Sequence, residues 1–477
     1  MKIFYRIFIF LILYALLTIP DNRSQLHIPE KNSLEVSSKW WGKFAQNLVK
    51  FRITNSEYQE YYYEKHRNLL NYHLDELLLQ LAEPGDPILD SISHHVNKLS
   101  TLASLAPHKI NEFHGDVARW RKLLKYQSRY WDTSSESTNQ RIFHLITESR
   151  LAFESALIQS NTASATLSTI QNIDGLKSVT IENLEFKSGD IVSFNLAYKQ
   201  DPFVSFIKEL PNVYQHLGCV HITDTSASVV YIDHEEGIKI VALDKFIGEI
   251  APNGITLRLR DDIPAINKNP HIPALAATDI YSMASGHVYE FDYNFDSDTQ
   301  FYLYDWELIN TAYKAHDLNL EPSKFVSNSS SIHLGNPNSH LNAFEIELDH
   351  RFVIAGEWYN TQQLYNKRIL TAATSSIMHP ERVKTDFIDP FYLPLYRIMK
   401  AYSMIIGIFG FEQPIPSGVT AQAQLVYNNL IKEQEELVER LTLEISSYEK
   451  KQNHKATYLK MLQKSNEIKD QQLADLK

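Results

Sequence analysis

Two short stretches hold the side chains best placed to do chemistry. The first is Gly189-Asp190-Ile191-Val192 with Gln215-His216-Leu217-Gly218; the second, about ninety residues on, is Tyr304-Asp305-Trp306-Glu307-Leu308-Ile309. A histidine that titrates near neutrality can take a proton from a nucleophile. A cysteine hydrolase couples such a histidine to a thiolate and to a polar third group that orients the ring. The chain has a single cysteine, Cys219, three residues past His216. Side chains alternate faces along a strand, so this odd separation puts Cys219 on the face opposite His216, roughly 10 Å along the strand. Cys219 therefore reads as a buried apolar residue and not as a nucleophile.

One cysteine also excludes an intrachain disulfide and a Cys-based metal cluster. The histidines of the N-terminal region (His66, His73, His94, His95, His108 and His114) read as scattered. His94-His95 points in two helical directions, unlike the i, i+4 pair that chelates a metal. Asp292, Asp296 and Asp298 have the scatter of a calcium loop but lack its glycine and closing glutamate, so they read as a solvated acidic loop. Asp233-His234-Glu235-Glu236 reads as a strand end and turn, with Asp233 the member singled out. No phosphate-binding loop, dinucleotide fingerprint or zinc spacing occurs, and no cofactor is implied. A net charge of −11 argues against nucleic acid as the main partner, because that interface needs clustered Lys and Arg.

The elements that must position these residues fall into six segments. Residues 1–20 carry Lys2 and Arg6 ahead of an apolar run, Ile7–Ile19. This is the pattern of a signal peptide or signal anchor. The small residues that cleavage wants are missing after the run, which favours an uncleaved inner-membrane anchor with the bulk exported to the cell envelope; if cleaved, the chain is periplasmic. Residues 21–38 are a polar linker. Residues 39–169 are helical, with expected helices Tyr58–Ala82, Ile88–Leu105, His108–Tyr130 and Asn139–Ser160. Residues 170–320 alternate in short runs typical of strands: Val179–Phe186, Ile191–Leu196, Cys219–Thr223, Val229–Asp233, Ile238–Ala242 and Ile255–Leu259. A helix fits Trp306–Ala315. The fold class is α+β. Residues 321–418 form a mixed extension, with a strand expected at Phe344–Ile354, a helix at Tyr359–Ala373 and an apolar run, Ala401–Phe411, expected to be core or packed on a neighbour. Residues 419–477 contain no Pro or Gly, and Leu430, Leu437, Leu441 and Ile445 form a stripe. They read as one amphipathic helix or short coiled coil that self-associates, meets a partner helix or folds back on the N-terminal bundle.

Across residues 180–320 the order of these pieces resembles the permuted papain-like cysteine hydrolases, the NlpC-type superfamily in its YiiX-like branch. Lys187-Ser188-Gly189-Asp190-Ile191-Val192 is similar to the family's Gly-Asp-Ile strand, and Gln215-His216-Leu217-Gly218-Cys219-Val220 to its histidine strand. Val229–Asp233 resembles the strand that ends in a polar residue. Gly286-His287-Val288-Tyr289-Glu290 approximates its Gly-x-Pro-Tyr-Asp, and Tyr304–Ile309 its Tyr-Cys-Ser-Glu-Leu-Val at a helix start. The resemblance implies a permuted papain-like domain with His216 as general base, Asp233 as its orienting group and Asp305 at the nucleophile position. Gly189, Asp190, Tyr289, Trp306 and Glu307 are implied to line the pocket. Asp305 departs from the family: a carboxylate has no thiol chemistry, and an unperturbed aspartate is ionised at neutral pH. Trp306 replaces the neighbouring serine, a bulky group at the mouth of the expected pocket. The expectation is a catalytically degenerate binding or scaffold protein. The alternative is an active amide or ester hydrolase on a cell-wall peptide or lipid, with Asp305 and His216 as an acid–base pair. A peptide or lipid ligand, and a protein partner through the N-terminal helical region or the C-terminal helix, follow as expectations.

Overall fold

A computed structural model of the chain describes residues 14, 17–19, 26–27, 36–168, 175–197, 214–233, 236–286, 289–291, 302–320, 333–334, 343–377, 391–408, 414–415 and 419–475. The acidic loop with Asp292, Asp296 and Asp298, the pair His234-Glu235 and most of the N-terminal apolar run lie outside the described residues.

The helical region is five helices: α1 (Val36–Arg52), α2 (Ser56–Leu79), α3 (Pro87–Leu105), α4 (Ile110–Gln127) and α5 (Glu136–Gln159). Two of their starts are legible. The Asn55 side chain accepts from Tyr58 N, and Asp86 accepts from Ile88 N with Pro87 in the first turn. Each satisfies an amide that a helix start leaves without an intrahelical partner. Leu89, Ile92, Val96 and Leu99 recur at helical spacing and are buried. The Ser100 hydroxyl ties α3 to α5 through the Ala152 carbonyl at 2.6 Å. Helix does not continue to residue 169 as expected: Ser164–Ser168 is a strand, β1.

Val179–Phe186, expected as one strand, is a hairpin of β2 (Ser178–Ile181) and β3 (Leu184–Lys187). It turns at Glu182 and Asn183, both at positive φ, the geometry that a two-residue hairpin demands. The other strands of the main sheet are β4 (Ile191–Asn195), β5 (His216–Ile222), β6 (Ala227–Asp233), β7 (Gly237–Ala242), β8 (Asn253–Leu259) and β9 (Phe352–Asn360). They form one antiparallel sheet in the order β1-β9-β8-β4-β5-β6-β7. The sheet therefore draws on residues outside the expected 170–320 segment. The expected strand Phe344–Ile354 is split into a helical turn, Glu345–Leu348, and the start of β9. The class is α+β, with helices packed on a mainly antiparallel sheet.

α6 (Ile272–Gly286) and α7 (Asp305–Lys314) pack on β5. α8 (Thr361–Ile377), α9 (Leu393–Ile408), α10 (Ala421–Gln452) and α11 (Tyr458–Asp475) follow. The expected single C-terminal helix breaks at Asn453, whose left-handed φ of 55° is a common way to end a helix. α10 and α11 then fold against each other and against α8. Leu430, Leu437, Leu441 and Ile445 are buried in that packing, and Tyr458 meets Trp41 of α1 at 4.9 Å. The stripe is thus buried within the chain, against α8 and α11, and it is α11 that meets the N-terminal helices, through Tyr458 and Trp41.

A buried ionic network joins the helical region to the sheet. Glu347 accepts from Arg121 of α4 and Arg150 of α5, Glu357 of β9 accepts from Arg121, and Lys125 donates to the Glu347 carbonyl. His114 lies 3.0 Å from Glu357. Burial alone would raise the Glu357 carboxyl, but the Arg121 charge and the His114 contact outweigh it and hold its pKa at about 2.

Candidate functional site

His216 opens β5 beside Phe194 of β4, and its ring stacks on Phe194 at 5.6 Å. Asp305 opens α7, where a carboxylate in the first turn suits the helix dipole. The two meet: Asp305 Oδ2 lies 3.8 Å from His216 Nδ1, within ion-pair reach but longer than a hydrogen bond. Both are enclosed, His216 at 2% and Asp305 at 7% exposure.

The strand register explains how Asp305 is held. The paired residues of β5 and β6 end at Gly218 and Tyr231. Continuing that register sets Leu217 opposite Ile232, and His216 opposite Asp233. In an ordinary ladder Leu217 and Ile232 would exchange hydrogen bonds. Here the Leu217 N–H donates to Asp305 Oδ2 at 2.9 Å, the Ile232 N–H lies close enough to lower the carboxyl pKa, and Oδ1 is buried with no hydrogen-bond partner among the described residues. The carboxyl is a wedge in the open end of the ladder. Burial pushes its pKa well above the usual carboxylate range; the two N–H groups pull the other way, and the nearby Asp233 charge raises it further. The sequence predicts an ionised Asp305; its surroundings favour the neutral acid.

Asp233 ends β6, with Oδ1 accepting from Glu236 N at 3.0 Å in the turn to β7. His216, Asp233 and Asp305 are therefore brought to one end of the β5–β6 pair. The residues expected around them are not all there. Gly189 and Asp190 form a strut instead of a pocket wall. Asp190 makes two 2.8 Å bonds with the Arg258 guanidinium and accepts from Lys187 N. Gly189 has φ +92°, and a Cβ there would lie 2.3 Å from Pro273, so glycine is required by both backbone and packing. Its carbonyl accepts from the Tyr313 hydroxyl. Trp306 is not at a mouth: it is buried in the larger core. Tyr289 packs half-buried on that core and accepts from Ile238 N through its carbonyl, and Glu307 is half-buried in the first turn of α7. Cys219 lies in the larger core, whereas the Phe194 that His216 stacks on belongs to the smaller core across the sheet. Burial pushes the Cys219 thiol up, away from the thiolate.

A cleft of about 560 Å³ opens at the end of β4, just past Phe194, between β8, α8 and α10. Asn195, Asn253, Gln362, Asn366, Lys367 and Glu449 contribute to its lining. Asn195 is buried, and its side-chain oxygen has no hydrogen-bond partner. Burial lowers the Lys367 ammonium to about 7. Sequence reasoning missed this cleft, since its walls come from four separated segments with no shared motif.

Of the N-terminal histidines, His66, His73, His94 and His95 cluster, whereas His108 and His114 lie apart from them. His66 and His95 face each other at 3.0 Å between their Nδ1 atoms, and His73 stacks on His95. Among the described residues, no group of three or more His, Cys, Asp or Glu could hold a metal. Burial lowers His66, His95 and, on α5, His144 to about 4 from 6.5. The folded state therefore stays neutral where the unfolded chain takes up protons. Stability is full above pH 6.5 and falls as the pH drops from 6.5 towards 4. Urea midpoints should decline between pH 7 and pH 5, and His95→Gln should flatten that decline. An unchanged slope in the variant would place the proton uptake elsewhere.

Compared with family models, curated proteins and solved structures, the chain matches none.

Proposed function

We propose that the chain is an envelope-anchored binding or scaffold protein whose α+β domain is a permuted papain-like hydrolase frame without a nucleophile. The observation that carries this reading is the placement of Asp305. It heads a helix beside His216, with Asp233 next in register, which is where the resembled family sets its cysteine, histidine and orienting group. Its Oδ2 is engaged by the Leu217 N–H, a structural use, and a carboxyl has no thiol to attack with. The cleft at Asn195 suits a ligand that can donate to a buried amide oxygen, and a peptide backbone does so. A protein partner would meet the N-terminal helical region.

A second reading has one observation in its favour. A carboxyl kept neutral beside a histidine is what general-acid catalysis uses. Turnover separates the two. Wild-type protein incubated with cell-wall peptide and lipid ester substrates is expected to release no product above buffer. Release that is abolished by Asp305→Asn would overturn the binding reading in favour of the hydrolase.

A further inference from the structure

Apart from Arg397, Lys400 and Ser403, α9 is built from apolar and aromatic residues, a composition that in a soluble protein belongs to a largely buried helix. Its inner face is covered. Leu393 and Ser403 are buried, Tyr396 and Met399 pack on the core, and Asn428 of α10 donates to the Tyr396 hydroxyl at 2.7 Å. Its outer face is bare. Leu395, Ile398, Tyr402 and Ile405, spaced as one helical stripe, are each 51–59% exposed, and Phe391 continues the stripe. Of the run Ala401–Phe411, expected to be core or packed on a neighbour, Ser403 is buried and Ile406 half-buried, Ala401, Tyr402, Met404 and Ile405 are exposed, and residues 409–411 lie outside the described residues.

The position of this face identifies what covers it. Arg397 of α9 donates to the Leu17 carbonyl at 3.0 Å and to the Ile19 carbonyl at 2.7 Å. The Tyr14 hydroxyl donates to the Phe391 carbonyl at 2.8 Å. The start of α9 is thus tied to the end of the apolar run Ile7–Ile19. Among the described residues, no helix is long and apolar enough to cross a membrane. At 16 residues α9 is shorter than the roughly 20 a spanning helix needs. It carries Arg397 and Lys400 and no acidic residue, against a chain of net charge −11. A bilayer interface takes such an element flat, with tyrosines at headgroup depth and cations reaching outward.

We propose that the outer face of α9 rests in the headgroup zone of a lipid bilayer, next to the N-terminal anchor, as a second point of membrane attachment. This rests on reading residues 1–20 as an anchor. The full chain is reconstituted with phosphatidylcholine–phosphatidylglycerol vesicles after Ile398→Cys or Ile405→Cys is labelled with an environment-sensitive fluorophore. Leu443→Cys, at an α10 position that is 68% exposed, is the control, and the buried Cys219 resists labelling in the folded protein. Labels at 398 and 405 should be quenched roughly two-fold by nitroxide-bearing lipid, since such helices sink about 5–10 Å into the interface. The label at 443 should respond only to aqueous iodide. If the chain fails to float with the vesicles, the anchor reading and this proposal both fall. If it floats while 398 and 405 are quenched by iodide and not by lipid, the anchor stands and the proposal is overturned. Labels shielded from both quenchers would assign the face to another protein surface, which also overturns it.

Discussion

Replacing Glu347 by alanine is expected to lower the unfolding free energy by about 3–5 kcal/mol, the usual cost of removing one partner from a buried ion pair. Glu347 is buried between the guanidinium groups of Arg121 and Arg150. Without it, Arg121 keeps Glu357, and Arg150 keeps Glu154 only at 3.7 Å. Neither arginine can shed its charge, because guanidinium does not deprotonate in proteins. The interior would then hold more positive charge than it can compensate. Because Arg121 and Arg150 belong to α4 and α5 while Glu357 belongs to β9, the loss should appear on both sides of the junction. Hydrogen exchange should show α4, α5 and β9 losing protection together. The surface pair Lys464–Glu467, at 2.9 Å, provides the contrast: Glu467→Ala should leave the urea midpoint close to that of wild type. A comparable loss for the two variants in urea titrations would mean that the network adds nothing beyond an ordinary surface pair.

The second large effect falls at the candidate site. Asp305→Ala would leave the Leu217 N–H buried without its acceptor, at about 1–3 kcal/mol. A loss of about 1–3 kcal/mol is expected. Asp305→Asn keeps an acceptor oxygen and removes the ionisation, so it should cost little. Its pH dependence follows from the raised carboxyl pKa. Below the unfolded value of 3.8 both folded and unfolded wild-type chains hold the proton. As the pH rises above it, the unfolded chain ionises at this position while the folded one does not, so the contribution of Asp305 to wild-type stability falls, opposite in sign to that of the buried histidines. The asparagine variant is spared that fall. The two proteins should therefore have similar urea midpoints near pH 4, with the variant gaining on wild type towards pH 7. A wild type that gains on the variant over that range would mean that the folded carboxylate is ionised and paired with His216.

How far the sequence reveals this molecule depends on the residue. Four of the five N-terminal helices are legible from long apolar repeats, two of them behind the caps Asn55 and Asp86; α1, Val36–Arg52, is not among the expected helices and begins inside the expected linker. The strands β4, β6, β7 and β8 are legible from short apolar runs between turn residues. β5 is harder: all seven residues of His216–Ile222 are buried, so polar–apolar alternation does not mark where the strand begins. β9 hides for a related reason. Glu357 looks like a solvent-facing residue, and only the fold brings Arg121, 236 positions away, to neutralise it. α6 begins at Ile272-Pro273, where proline is tolerated in a first turn, and Gly286, the first residue of the Gly-x-Pro-Tyr-Asp-like stretch, ends it. The break at Asn453 has neither Pro nor Gly to announce it. At the site, the meeting of His216 and Asp305 was expected from the order of their segments, whereas the wedge in the β5–β6 ladder needed the register. Gly189 and Asp190 were placed in the right segment with the wrong task, because a Gly-Asp pair serves a tight strut as readily as a pocket wall.

The central claim, a hydrolase frame with its nucleophile replaced, is tested most directly by restoring a thiol. Asp305→Cys, with circular dichroism matching wild type, is treated with iodoacetamide at neutral pH, and the modified residue is located by mass spectrometry. A histidine beside a cysteine lowers the thiol pKa and promotes the thiolate. The account predicts alkylation at position 305 about ten-fold faster than in the Asp305→Cys, His216→Ala double variant, with Cys219 untouched. Equal rates in the two folded variants would contradict it, because His216 would then have no hold on the group at the head of α7.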